Sequence, residues 1–278
     1  MKATSLPLVS GVLAAGVLFA AAATLPAQVA PAPVAPAPTA PAPPVTVDPL
    51  LTAPVASLSP EQVESLQHRL SDWPGLRRYR DDNARAGAPA PGEQRVVFYG
   101  DSITDAWGRR QGSTFFPGKP SYLNRGISGQ TTAQMVVRFR QDVIDLHPAA
   151  VLILAGTNDI AGNTGIATVE MIEDNFRSMT ELAQTNHIKV ILASILPVSK
   201  YPWRRGLEPA DKVRTLNAWL KNYAQANGAT YLDYYSALTN DQGGMNPNLA
   251  SDGVHPTAAG YTIMAPLAQK AIDQTLAH

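Results

Sequence analysis

The sequence of 278 residues contains no cysteine, and this absence excludes several kinds of site. Without thiols the chain can form no disulfide, no cysteine nucleophile and no thiolate metal site, and it lacks the residue that carries the lipid of a bacterial lipoprotein. We therefore expect the fold to depend on core packing alone, for which an apolar content of 45% is ample.

An excess of charge of either sign is also lacking. Lysine and arginine together number 22, as do aspartate and glutamate, so the formal net charge is zero. A chain without a basic excess has no bulk electrostatic attraction for nucleic acid or for an acidic membrane surface. We expect no nucleic-acid partner, and only a local basic cluster would bind an anion.

The first 27 residues have the composition of an export signal. Lys2 is the only charged residue before Asp48, and residues 6–25 are apolar or small. A positive start, an apolar stretch and small residues at a cleavage site are typical of a signal peptide, and we place the cut after Ala27. This predicts a secreted or periplasmic protein without stable membrane insertion. An uncleaved anchor is the alternative, because about 20 apolar residues can span a bilayer.

Residues 28–58 form a proline- and alanine-rich segment, which contains nine of the 24 prolines. Such a composition offers few backbone donors and little to bury, so it predicts an extended linker. Ordered structure is expected to begin at Ser59, because Pro60 suits the first turn of a helix and Gln62 completes a capping box. We therefore expect one folded domain over residues 59–278.

Five short segments, of which 121–124 has the weaker signal, predict the strands of a parallel sheet. Their apolar runs are continuous rather than alternating, which is typical of strands that are covered on both faces. Helical patterns of apolar residues lie between them, so strands and helices alternate along the chain. We expect a three-layer α/β/α fold with a five-stranded, flavodoxin-like parallel sheet. The predicted strands are residues 95–99, 121–124, 150–155, 189–194 and 230–233.

Polar residues stand at the carboxyl ends of the first three predicted strands. Ser102 follows the first strand, Gly126 the second and Asn158 the third. If the strand order is 2-1-3-4-5, by analogy with flavodoxin-like sheets, the three loops converge on one crevice. Ligands of open parallel sheets bind in that crevice, so we expect these residues to share a site.

Three residues have the chemistry of a nucleophile and its activating partners. The hydroxyl of Ser102 is a poor nucleophile unless a base removes its proton. His255 is the natural base, since imidazole titrates near neutral pH. Asp252 stands three residues earlier, and one loop can hold it against the ring, which its carboxylate would orient.

Attack by an activated serine on a carbonyl carbon creates an oxyanion, which requires hydrogen-bond donors already aimed at it. Gly126 offers a backbone N–H that no side chain obstructs, and Asn158 offers a side-chain amide. The backbone N–H of Ser102 is the third candidate. Asp101 and Asp159 flank these residues, and we interpret them as organising the loops.

Four segments of the chain resemble the four motif blocks of the SGNH, or GDSL-type, hydrolase family, in the same order. They are GDSIT at 100–104, NRGISG at 124–129, GTND at 156–159 and DGVHP at 252–256. The stretch 126–139 also resembles one branch of this family, whose members are similar to platelet-activating-factor acetylhydrolase. The resemblance implies a serine esterase without metal or cofactor. It further implies a catalytic triad of Ser102, Asp252 and His255, and an oxyanion hole of Ser102, Gly126 and Asn158.

The substrate is less well defined by the sequence. Export and the family resemblance favour a short acyl ester, such as O-acetyl on a carbohydrate. A lysophospholipase or thioesterase with a longer acyl group is one alternative, and a catalytically silent surface binding module is another. Tyr201, Trp203 and Arg204 are candidate substrate-binding residues, with a solvated loop as the other interpretation. The acyl length, the alcohol and the oligomeric state stay open.

Overall fold

The computed structural model describes residues 53–277. The predicted signal peptide and residues 28–52 of the predicted linker lie outside the described residues. The remainder of that linker contains a single 3₁₀ turn at Val55–Ser57. None of the helices within residues 53–277 combines the length and the hydropathy of a membrane span.

A five-stranded parallel sheet lies at the centre of the described chain, with strand order 2-1-3-4-5, as predicted. Each predicted strand is present, with ends that differ by at most two residues. The strands are β1 Val96–Gly100, β2 Tyr122–Gly126, β3 Ala150–Leu154, β4 Lys189–Ala193 and β5 Thr230–Leu232. The helices are α1 Pro60–Ser71, α2 Arg80–Ala86, α3 Ser102–Ala106, α4 Thr132–Asp142, α5 Thr157–Ile160, α6 Val169–Thr185, α7 Ala210–Ala226, α8 Tyr235–Leu238 and α9 Ala258–Ala277.

The two faces of the sheet support separate hydrophobic cores, which makes the fold a three-layer α/β/α sandwich. Alternate residues of β1 enter opposite cores: Val97 packs with Phe139 of α4 and Phe176 of α6, whereas Phe98 packs in the other core, which includes Met264 of α9. Both faces are covered, so both sets of strand residues are apolar. This explains the continuous runs in the sequence.

The register of the sheet brings the candidate loops to one edge. Gly100 at the end of β1 pairs with Gly126 on β2 and with Leu154 on β3. Three neighbouring strands therefore end at the same level, and the segments that follow them share the crevice expected at a reversal of strand order.

Helix α1 begins as the sequence predicts. Ser59 caps it, and both hydrogen bonds of the capping box with Gln62 are present. Its apolar residues differ from the usual pattern, because Leu70 is 78% exposed and Trp73 lies beyond the helix end, where it is 40% exposed. Helices α2, α3, α5 and α8 were not predicted, because four to seven residues are too few to show a helical period.

Candidate active site

A line of hydrogen bonds joins Ser102, His255 and Asp252. Ser102 is the first residue of α3, directly after β1 and Asp101, and its Oγ lies 2.9 Å from Nε2 of His255. The other ring nitrogen, Nδ1, lies 2.7 Å from Oδ2 of Asp252. The fold thus brings together groups that are 153 residues apart in the sequence.

Asp252 uses its two carboxylate oxygens for different purposes. Oδ1 accepts from the backbone N–H groups of Val254, at 3.0 Å, and His255, at 2.8 Å, which shapes the turn, while Oδ2 faces the imidazole. Burial is the largest influence on the pKa of Asp252 and acts to raise it. The hydrogen bonds from His255 and Val254 outweigh burial and hold the pKa below its ordinary value. The carboxylate is therefore ionised at neutral pH, as a partner for an imidazolium must be.

The side chain of Asn158 has a defined orientation. Its Nδ2 donates to the carbonyl of Gln130 at 2.9 Å, and its Oδ1 accepts from Nδ2 of Asn163 at 2.8 Å. The indole N–H of Trp203 in turn donates to Oδ1 of Asn163 at 3.3 Å. The backbone carbonyl of Gln130 can only accept a hydrogen bond, and the indole N–H of Trp203 can only donate one. These two groups therefore determine which side-chain atom is oxygen and which is nitrogen in Asn158 and Asn163. Asn158 keeps one amide hydrogen for a ligand in the cavity that it lines.

Gly126 does not occupy the position expected of an oxyanion donor. Its backbone N–H donates to Oδ1 of Asn124 at 2.9 Å, and Gly126 is not among the residues that line the cavity next to Ser102. A Cβ at this glycine would lie 2.1 Å from the backbone nitrogen of Asp105, so the absence of a side chain serves close packing of β2 against α3. The structure therefore contradicts the prediction for Gly126.

Gly129 is the glycine that faces the cavity. It lines the same space as Ser102 and Asn158, and its φ of +79° lies in the left-handed region that favours glycine. Within residues 53–277, no acceptor bonds its N–H. The sequence contained this residue within the second motif, but spacing alone did not distinguish its N–H from that of Gly126.

Buried Arg138 holds these loops in place. Its guanidinium donates to the carbonyls of Gly100 at 3.0 Å and Arg125 at 2.9 Å, and to Oδ2 of Asp142 at 3.0 Å. Its Nε donates to the side chain of Gln130. One fully buried side chain thus ties the ends of β1 and β2 to the loop that carries Gly129.

Of the three candidate substrate-binding residues, only Trp203 lines the cavity. Tyr201 is buried, and its hydroxyl donates to the carbonyl of Thr157 at 2.8 Å. Arg204 is also buried, and it donates to the carbonyls of Ala161 and Gly162 at 2.8 and 3.1 Å. The predictions for Tyr201 and Arg204 are wrong, because both side chains are turned inward to buttress the loop after β3.

The cavity beside Ser102 and His255 has a volume of 820 Å³. One wall comes from α1 and the loop after it, which contribute Arg69, Trp73 and the pair Arg77 and Arg78. These residues were not predicted from the sequence. The sequence signal was the basic run at positions 77–80, but nothing in the local pattern connected it to the distant motifs.

Asp101 and Asp159 are buried on either side of the site, and burial is the main cause that raises their pKa values, to about 7 and about 6. Asp159 accepts from the backbone N–H and the hydroxyl of Thr132. Asp101 accepts from the N–H of Ile103 through Oδ1, whereas its buried Oδ2 has no partner among the described residues. These contacts agree with a loop-organising role.

We expect Asp101 to make the protein less stable as the pH rises from about 4 to about 7. Its folded-state pKa lies above the unfolded value of 3.8, so the folded state binds the additional proton in this window. One such group gives a slope of roughly 1.4 kcal/mol per pH unit. Urea unfolding at several pH values should show a smaller slope for Asp101→Asn. The exposed Asp241→Asn is the control, and equal slopes in Asp101→Asn and wild type would contradict the prediction.

The chain is similar to a group of known hydrolases. The model of the GDSL-like lipase/acylhydrolase family matches residues 98–263. The crystal structure of a putative acylhydrolase from Bacteroides fragilis is 46% identical, with a TM-score of 0.71, and the match covers 74% of this chain and 99% of that one.

Two curated bacterial proteins are also similar. An acetylxylan esterase from Geobacillus stearothermophilus is 26% identical over 200 residues, which are 62% of this chain and 90% of that protein. An uncharacterized lipoprotein, YqeF, from Bacillus subtilis is 32% identical over 129 residues, or 41% of this chain. That match spans about half, 53%, of the lipoprotein's own length.

Proposed function

Because the chain belongs to the GDSL-like lipase/acylhydrolase family and is a carboxylic ester hydrolase, we propose that Ser102, His255 and Asp252 form its catalytic triad. The observation that carries the proposal is the line of hydrogen bonds from Asp252 through His255 to Ser102, which ends in an open cavity. A hydroxyl 2.9 Å from an imidazole nitrogen is within reach of proton transfer.

In the first half of the reaction, Oγ of Ser102 bonds to the ester carbonyl carbon while its proton passes to Nε2 of His255. The imidazolium is stabilised by the ionised carboxylate of Asp252. When the tetrahedral intermediate collapses, the bond to the alcohol oxygen breaks, and His255 returns the proton to the leaving alcohol. An acyl-serine remains, and water activated by the same imidazole hydrolyses it to the free acid.

Three donors are placed to bind the developing oxyanion in this proposal. They are the backbone N–H groups of Ser102 and Gly129 and the remaining amide hydrogen of Asn158. All three residues line the cavity, and the network through Asn163 and Gln130 holds the amide in position before substrate arrives. Donors that are already oriented stabilise charge without reorganisation during the reaction.

The substrate that we propose is a short acyl ester, in particular O-acetyl on a carbohydrate. The relative from Geobacillus stearothermophilus is an acetylxylan esterase, and the exposed indole of Trp203 next to His255, with ring centroids 6.1 Å apart, can stack on a sugar ring. The cavity walls place arginine, asparagine and serine side chains among Ile127, Trp73 and Trp203, so polar groups interrupt the apolar surface on which a long acyl chain would lie.

We also propose that the enzyme is exported and acts on polymers outside the cytoplasm. In this arrangement residues 1–27 are the signal peptide, residues 28–58 the linker and residues 59–278 the catalytic domain. The support is the composition of the N-terminal region together with the capping box that begins α1 at Ser59. Helix α1 precedes the family match but contributes to the cavity wall, which argues for including it in the catalytic domain.

Acyl-length preference tests this function. With the full chain, kcat/KM for p-nitrophenyl acetate is expected to exceed that for the octanoate ester by at least about tenfold, because polar side chains interrupt the apolar lining of the cavity. Release of p-nitrophenol is measured for both esters, with Ser102→Ala as the blank. A preference for octanoate would contradict the proposal and favour a lysophospholipase or a thioesterase.

A further inference from the structure

Three arginines line the same cavity as Ser102 and His255, although the chain as a whole carries no net charge. Arg69 comes from α1, and Arg77 and Arg78 come from the loop that follows it. Hydrolysis of a neutral ester needs none of these charges, since the proposed oxyanion donors are provided by other residues. The cluster therefore requires a separate explanation.

The positive charges of Arg77 and Arg78 are only partly compensated. Asp72 is the one carboxylate among the lining residues of the described chain, and both of its oxygens are engaged by backbone N–H groups, of Leu76 at 2.8 Å and Arg77 at 2.9 Å. Arg78 forms an ion pair with Asp105 at 3.5 Å, and it shares this carboxylate with Arg109. Within residues 53–277 the guanidinium of Arg77 has neither an ion pair nor a hydrogen bond, so it is available to an anionic ligand.

The arginine-bearing loop is held firmly against the catalytic loops. Three glutamine side chains donate to its backbone carbonyls: Gln130 to Pro74, Gln134 to Trp73 and Gln141 to Leu76, at 2.6, 2.6 and 2.8 Å. A side chain on a fixed loop loses less entropy on binding a ligand than one on a mobile loop. The wall thus has the pre-organisation expected of a binding subsite.

Aromatic surface accompanies the charge. Trp73 and Trp203 both line the cavity, with 40% and 42% of their surface exposed. Indole rings offer flat apolar faces to the C–H faces of sugar rings, while guanidinium groups bind carboxylates in bidentate fashion. A volume of 820 Å³ is also far more than an acetyl group occupies, so most of the cavity must receive the alcohol part of the ester.

We propose that the alcohol part of the substrate is an acidic carbohydrate, whose carboxylate binds Arg77 and Arg78 while its acylated hydroxyl faces Ser102. This inference rests on the proposed function, because it names the substrate class of the same site. An acidic substrate distinguishes this enzyme from one that acts on neutral xylan, because an uncharged sugar has no carboxylate for the arginines to bind.

The test compares two acetylated oligosaccharides of matched length, one built from uronic acid and one from neutral xylose. The wild-type chain is expected to show the higher kcat/KM for the acidic substrate, mainly through a lower KM. The preference should weaken as NaCl is raised, because salt screens exposed charges. Acetate release is measured for each substrate, and the ratio of the two kcat/KM values cancels any loss that is common to both.

Arg77→Gln and Arg78→Gln should each lower this ratio by about tenfold, since each removes a charge-assisted hydrogen bond. Arg77→Lys should retain part of the preference, because it keeps the charge but not the planar fork. The matched control is Arg140→Gln, an exposed arginine of α4 outside the cavity, which should keep the wild-type ratio.

The outcomes separate this inference from the proposed function. Hydrolysis of both substrates without a preference for the acidic one, or ratios that do not change in Arg77→Gln and Arg78→Gln, would overturn the acidic-substrate inference alone. Failure of the wild type to release acetate from either substrate and from p-nitrophenyl acetate would overturn the proposed function itself.

Discussion

Ser102→Ala is expected to lower kcat for ester hydrolysis by about 10⁴-fold or more, because among residues 53–277 the hydroxyl of Ser102 is the one that is hydrogen-bonded to the imidazole of His255. The substitution removes one hydroxyl, which is hydrogen-bonded to His255, from a residue that is 9% exposed. Unfolding by urea should therefore stay close to that of the wild type. Substantial ester hydrolysis by the purified, folded variant would show that Ser102 is not the nucleophile.

His255→Ala is expected to be nearly as inactive, and the double variant Ser102→Ala/His255→Ala scarcely worse than either single one. The two side chains act as one unit, so removing the second side chain lowers kcat/KM little further once the first is absent. Comparison of kcat/KM among the three variants and the wild type measures this coupling. Losses that multiply in the double variant would assign the base to another residue.

The pH profile gives an independent check on the base. Protonated His255 cannot accept the proton of Ser102, so kcat/KM of the wild type should fall on the acid side. The ionised carboxylate of Asp252, whose pKa is held below its ordinary value, should not itself titrate in the range where this limb appears. An acid limb that survives unchanged in the residual activity of His255→Ala would contradict the assignment.

The second large effect is expected at Asn158. Asn158→Ala should lower kcat by about 100- to 1,000-fold, because loss of one oxyanion donor typically raises the barrier by about 2.7–4 kcal/mol. KM should change little, since the donor acts mainly on the transition state. The matched control is Asn222→Ala, an exposed asparagine of α7, which should behave as the wild type.

A structure with a fluorophosphonate bound covalently to Ser102 would test the set of donors directly. The phosphoryl oxygen occupies the place of the oxyanion, and we expect it within about 3 Å of Nδ2 of Asn158 and of the backbone nitrogens of Ser102 and Gly129. An oxygen that instead bonds to the N–H of Gly126 would require Asn124 to release that group, and would reverse our assignment.

The sequence predicted most of the fold because the relevant signals are local. The strands β1, β3 and β4 are nearly continuous apolar runs, which are typical of strands that are covered on both faces. The capping box of Ser59 and Gln62 likewise depends on residues three apart, and the structure contains it. The order of the strands could be expected only by analogy, because the residues within one strand do not specify which strand it pairs with.

For the site, the sequence by itself determined which residues could supply the chemistry. A serine after a buried strand and a histidine three residues after an aspartate are recognisable from spacing, and the fold brings Ser102 to His255 as expected. The catalytic roles themselves remain predictions until the variants are measured.

Only the tertiary structure decided which groups face the cavity. Gly126 and Gly129 are three residues apart in one motif, yet the side chain of Asn124 occupies the N–H of the first and leaves the second open. Tyr201 and Arg204 turn inward because carbonyl acceptors of distant loops are within their reach. The direction of a long polar side chain depends on partners far away in sequence, and local pattern contains no information about them.

The arginine-bearing wall has the same origin. Arg77 and Arg78 approach Ser102 because glutamine side chains of α4 and of the loop before it bind the carbonyls of the preceding loop. The sequence thus predicted the layers of the fold and the candidate reacting residues, through local periodicity and motif spacing. The tertiary structure decided which donors we propose for the oxyanion and the charge of the cavity, because these depend on hydrogen bonds between segments that are distant in the chain.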